Sequence, residues 1–97
     1  MRTRYLVCYD VHDEARLRRV ARIAEEFGER LQYSVFLCDL SAIEKARFVG
    51  RLRHALNLDD DRAVMIDLGP PGPGSTQRFS WITRCQPTYD PGDATII

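Results

Sequence analysis

The chain has 97 residues, 44% hydrophobic and 29% charged, which suffices for one domain with a modest core and is too little for two. No apolar run approaches the length that spans a bilayer, so the composition reads as soluble and globular and argues against a membrane role. Formal net charge is zero, yet residues 1–56 hold eleven Arg or Lys against eight Asp or Glu, while residues 57–97 hold three against six.

The first half is therefore the basic half, and all its basic residues but Lys45 are Arg, whose planar fork bonds two phosphate oxygens at once. Charge alone does not establish a nucleic-acid partner. The amino terminus enters a strand directly, without the basic segment, apolar core and cleavage site of a signal peptide, so a cytoplasmic location is expected. Cys8, Cys38 and Cys85 are odd in number and far apart, with no metal-ligand spacing, and read as ordinary thiols.

Tyr5 to Asp10 reads as a short, mostly apolar strand that delivers one carboxylate at its carboxyl end. A helix is expected from about Asp13 to Phe27, with Asp13 as its cap, Glu14 at the positive end of its dipole, and Gly28 as a left-handed terminating residue. Leu17, Val20, Ala21, Ala24 and Phe27 form its buried stripe. Arg30 to Leu40 reads as extended, either one bent strand or two short ones folding near Tyr33 and Ser34.

Ser41-Ala42-Ile43-Glu44 has the pattern of a capping box and starts a second helix reaching about Leu56, with Ile43, Ala46, Val49, Leu52 and Leu56 on its apolar side and Asn57 ending it. Ala63 to Leu68 is the next strand. Residues 69–74, Gly-Pro-Pro-Gly-Pro-Gly, then act as a linker or long turn. Gln77 to Thr83 and Thr95 to Ile97 are further candidate strands, suited to adding to a sheet edge in this subunit or a partner.

This order predicts a single α+β domain of ferredoxin-like type (βαββαβ) over residues 1–68, with residues 69–97 as a linker and an additional C-terminal strand that is packed at, or exchanged across, a dimer interface. Such a fold hosts many functions and selects none.

Asp10 is the first candidate for chemistry, because a strand end is rigid and the following loop is open to substrate. On the first helix, Arg16 and Arg19 flank one edge of the apolar stripe and Arg18 and Arg22 lie on the other side, where they can grip phosphates. His12 and His54 read as bystanders, and Asp59-Asp60-Asp61 as a solvated helix-to-strand turn.

Two motifs go further. Tyr9-Asp10 is followed by Asp13 and the helix arginines, and residues 28–36 read Gly-Glu-Arg-Leu-Gln-Tyr-Ser-Val-Phe. Together, across residues 4 to about 68, they resemble the small CRISPR-associated protein that accompanies the spacer integrase, the second of the universal pair of adaptation proteins. That resemblance implies a homodimer with the strand-end Asp of each chain near the twofold axis. It implies metal-dependent endonuclease activity on RNA or duplex DNA, and a role as nucleic-acid-binding scaffold, beside the integrase subunit, in spacer acquisition, where the enzyme activity is dispensable. Asp10 carries over as the catalytic and metal-binding position. Tyr9, Arg30, Ser34 and Phe36 match motif positions, and Arg16 and Arg19 match its basic helix start.

Magnesium takes six oxygen ligands, usually one or two of them carboxylates, so one Asp10 is too little and two copies across a dimer axis suffice. The competing reading is a ferredoxin-like toxin-type ribonuclease or regulatory domain without a CRISPR role.

Overall fold

The structure, a computed structural model, describes residues 1–72, 78–84 and 95–96. Strand β1 (Thr3–Asp10) is longer than expected at its start, and α1 (Glu14–Phe27) follows as predicted. Asp13 caps it, accepting a hydrogen bond from the Arg16 amide at 2.9 Å.

The chain then folds back twice, as β2 (Glu29–Gln32) and β3 (Val35–Leu40), so the extended stretch is two strands that turn at Tyr33 and Ser34. Helix α2 (Ala42–Ala55) opens with the capping box complete, Ser41 Oγ accepting from the Glu44 amide and Glu44 Oε1 from the Ser41 amide. Strand β4 (Arg62–Asp67) is followed by Gly69, whose φ of +84° suits glycine and whose carbonyl accepts from the Arg4 amide at 2.8 Å.

The four strands form one antiparallel sheet in the order β2-β3-β1-β4, the ferredoxin-like arrangement. Side chains alternate across β1, so Tyr5, Val7 and Tyr9 enter the core with Phe36, Cys38 and Leu40 of β3 and the inner faces of both helices. Leu6, Cys8 and Asp10 point to the other face by the same alternation. At the opposite end of β1 from Asp10, buried Arg4 donates to both carboxylate oxygens of Asp39 at 2.7 and 2.9 Å.

Three expectations need correction. Gly28 is extended (φ −162°), not left-handed; a glycine stands there because a Cβ would lie 2.5 Å from the Leu37 carbonyl oxygen and against Cys38 Sγ. The buried stripe of α1 includes Ile23, while Ala21 is only partly covered. On α2 the buried residues are Phe48, Leu52 and Ala55, and the expected Ile43 is 68% exposed and Ala46 exposed. The physical reason is Phe48, which stacks on Phe27 with centroids 4.8 Å apart and rotates the helix toward its own spacing of four and three.

Beyond the sheet, Ser80–Trp81 (β5) is shorter than the predicted strand and pairs in parallel with Thr95–Ile96 (β6) rather than with an edge of the main sheet. Residues 78–83 line a cleft with Leu6, Cys8, Leu31 and Val35 on the face opposite the helices. Cys85 and the last two residues of the Pro-Gly linker, Pro73 and Gly74, lie outside the described residues. Among the described residues no helix is long and apolar enough to cross a membrane.

Candidate nucleic-acid interface around the strand-end aspartate

Asp10 is the last residue of β1, and its side chain is 69% exposed. Its cross-strand partner is Arg62, the first residue of β4, so a carboxylate and a guanidinium leave the sheet side by side. Arg62 carries no signal of this in the sequence, because only strand register reveals the pairing. His12 Nε2 lies 3.8 Å from Asp10 Oδ2, with both side chains mostly in solvent. Among the described residues no three His, Cys, Asp or Glu groups gather as a metal-binding set.

Asp61 departs from its expected solvated role. Its side chain has no exposed surface, and it accepts from Arg16 Nε at 2.9 Å, Arg16 Nη2 at 3.1 Å, the His12 amide at 3.2 Å and the Asn57 amide at 2.9 Å. The Arg16 hydrogen bond above all, with the Asn57 and His12 amides, holds the Asp61 carboxyl well below the usual range against the opposing effect of burial. The turn buries it because its four donors converge from α1, the β1–α1 loop and the end of α2. Arg16 is thereby occupied within the protein, and the loop after Asp10 is tied to the entry of β4.

The remaining arginines behave differently. Arg18, Arg19 and Arg22 are exposed on α1, and no ion pair or hydrogen bond among the described residues engages their guanidiniums. Arg18 and Arg22 line a cleft of about 330 Å³ between α1 and the β2–β3 hairpin, together with Tyr9, Glu25, Arg30 and Tyr33. Arg19 is not part of that lining. Arg30 lies over Phe36 at 5.2 Å and Tyr33 at 5.8 Å and is 3.4 Å from Glu25.

Phe36 is wholly buried and stacks on Tyr9 at 6.1 Å, so it acts through packing beneath the cleft. Ser34 meets the site through its backbone, its carbonyl accepting from the Tyr9 amide at 3.1 Å. The expected site residues thus fall into two neighbouring groups, Asp10 at the strand end and Arg18, Arg22 and Arg30 around the cleft, with Arg16 set apart by Asp61.

A family model described as CRISPR associated protein Cas2 matches residues 1–71, which span β1 through the turn after β4. The chain belongs to the Cas2 family. A relative from Thermus thermophilus, the "CRISPR-associated endoribonuclease Cas2", is 39% identical over 80 residues, covering 81% of this chain and 85% of the relative. Streptococcus pyogenes Cas2, crystallised at pH 6.5, superposes with a TM-score of 0.64 at 34% identity, over 68% of this chain and 86% of its own. A hypothetical protein from Thermus thermophilus superposes with a TM-score of 0.73 at 25% identity, covering 90% of this chain and 96% of that one. Within this Cas2-family chain the matched span contains Asp10, the α1 arginines, Arg30, Asp61 and Arg62.

Proposed function

We propose that this Cas2-family chain is a homodimeric nucleic-acid-binding scaffold of CRISPR spacer acquisition, acting beside the integrase subunit in the cytoplasm, and an endonuclease that hydrolyses phosphodiester bonds of RNA or DNA. The observation that carries the proposal is the exposed Asp10 at a rigid strand end, beside a helix face whose Arg18 and Arg22 are uncommitted among the described residues. The endoribonuclease name of the Thermus thermophilus relative supports the hydrolytic part.

A divalent metal does not fit one chain, since Asp10 is a lone carboxylate with one imidazole beside it and no third donor among the described residues. The dimer is proposed to supply a second Asp10, and the two carboxylates, completed by water and phosphate oxygens, would fit Mg²⁺. Such an ion would draw charge from the phosphate and lower the pKa of a bound water. The protein's own contribution is placement. Asp61 holds the His12 amide and Arg16, which steadies the loop leaving Asp10, and Arg62 sets a positive charge across the ladder from it. Arg18, Arg22 and Arg30 hold backbone phosphates without reading bases.

The test is cleavage of labelled RNA and duplex DNA with added Mg²⁺, by the parent and by Asp10→Asn. Loss of cleavage in the variant with retained duplex binding is expected. Undiminished cleavage by a clean Asp10→Asn preparation removes Asp10 from the mechanism, and absence of duplex binding by the parent removes the scaffold.

A further inference from the structure

The cleft between α1 and the β2–β3 hairpin contains a feature that duplex binding does not explain. Tyr9 is 6% exposed, and its Oη is shielded from solvent with no acceptor for its proton among the described residues, the Arg30 guanidinium beside it being a donor only. A buried hydroxyl is ordinarily satisfied, and one left without a partner in a polar cleft marks a place where a ligand or water supplies the bond. Tyr9 lines this cleft together with Arg30, Glu25 and Tyr33. Burial pushes the phenol up from its usual pKa, opposed by Arg30, and it stays protonated as a donor.

The charge around the hydroxyl is lopsided. Arg18, Arg22 and Arg30 face one carboxylate, Glu25, which lies 3.4 Å from Arg30 alone. An anion of up to two charges is the complement. Tyr33 stands at the rim, 72% exposed, its ring beside the Arg30 guanidinium, and offers an open face of the kind on which a base stacks. The cleft volume of about 330 Å³ is near the lower end of small-molecule sites, suited to one phosphate with its nucleoside and not to a duplex.

We propose that this cleft binds a phosphate monoester, the class shared by nucleoside monophosphates and phosphorylated strand ends, with Arg18, Arg22 and Arg30 on the phosphate oxygens and Tyr9 Oη donating from the floor. The inference rests on the reading of these arginines as phosphate contacts and deepens it. A monoester carries close to two charges at neutral pH and is substituted on one side only, so it can enter end-on, whereas a backbone diester carries one charge and continues on both sides. Arg30 and Tyr33, both exposed side chains, turn onto the incoming ligand, and the hydroxyl is uncovered as they do.

The experiment is calorimetric titration of the full chain with adenosine 5′-monophosphate, with adenosine as the uncharged control, and with one short single strand bearing either a 5′-phosphate or a 5′-hydroxyl. Binding of the monophosphate and not of adenosine is expected, weakened about tenfold by Tyr9→Phe through loss of one charge-assisted hydrogen bond, and lost in Arg18→Gln/Arg22→Gln. Because the hydroxyl proton has no acceptor among the described residues, Tyr9→Phe should keep a melting temperature close to that of the parent, so weaker binding cannot be blamed on unfolding.

A preference for the 5′-phosphorylated strand supports the site and identifies a strand end as the source. Equal binding of the two strands with retained monophosphate binding supports the site and identifies the free nucleotide. Monophosphate binding that is unchanged in Tyr9→Phe, or matched by adenosine, overturns the proposal. Duplex binding measured on the same preparation keeps the two readings separate, since a chain that binds duplex and not monophosphate overturns the cleft alone.

Discussion

Arg16 and the pair Arg18 and Arg22 sit within two turns of one helix, yet the structure gives them opposite consequences for nucleic-acid binding. The guanidinium of Arg16 is held by both oxygens of Asp61, while those of Arg18 and Arg22 are exposed and, among the described residues, unengaged. Each phosphate neutralised on a duplex steepens the fall of log affinity with log salt by about 0.9. Replacing Arg18 and Arg22 with Gln should therefore flatten the slope by about 1.8 for each chain that engages the duplex.

Between about 50 and about 200 mM salt the parent should then lose roughly tenfold more affinity than the double variant, for any duplex sequence. Fluorescence anisotropy of a labelled duplex over a salt series measures this directly. Arg16→Gln should leave the slope nearly unchanged while lowering the melting temperature, because it strips a buried carboxylate of its main donor. An Arg16→Gln slope change as large as that of the double variant, with the fold intact by circular dichroism, would refute the assignment.

Two further outcomes follow from packing and from titration. Gly28→Ala forces a Cβ against the Leu37 carbonyl and Cys38 Sγ and should cost about 1–3 kcal/mol, or about 4–8 °C of melting temperature per kcal/mol in a domain of this size. Gly50→Ala, in a helix with open space around it, should instead stabilise by up to about 1 kcal/mol; equal effects of the two substitutions would contradict the close-approach account. On the acid side, the folded-state pKa of Asp61 is depressed, so its contribution to stability is complete above the ordinary carboxylate pKa of about 3.9 and is lost progressively as pH falls below it. Unfolding measured from about pH 5 downward should show a shallower acid limb for Asp61→Asn than for the parent, with the remaining slope owed partly to Glu44 and Glu26, whose pKa values are also lowered.

Local chemistry carried most of the fold into the sequence. Asp13 and the Ser41–Glu44 box mark helix starts because capping needs only residues three apart, and the periodicity of β1 and α1 is visible within a few residues. What the sequence hid depends on partners distant along the chain. The buried face of α2 was decided by Phe48 meeting Phe27, and no property of α2 alone ranks Phe48 above Ile43.

Asp61 looked like one of three solvated acids, because the donors that bury it come from residues 12, 16 and 57. Arg62 could not be matched to Asp10 without the β1–β4 register, and a Tyr9 hydroxyl proton with no acceptor among the described residues is a property of the folded cleft. Asp10 and the arginines were legible as candidates, and their division into committed and free groups was not.

The Arg4–Asp39 pair has a consequence that reaches the other end of its strand. The two residues face each other in the β1–β3 ladder, and β1 lies between β3 and β4. Sliding β1 by one residue would turn Arg4 to the opposite face and leave a guanidinium among apolar side chains without its carboxylate, a costly state. The pair thus works as a key that rejects misaligned ladders during assembly. Because the strand is stiff, the alignment checked at Arg4 is inherited about 20 Å away, where it decides that Asp10 emerges opposite Arg62.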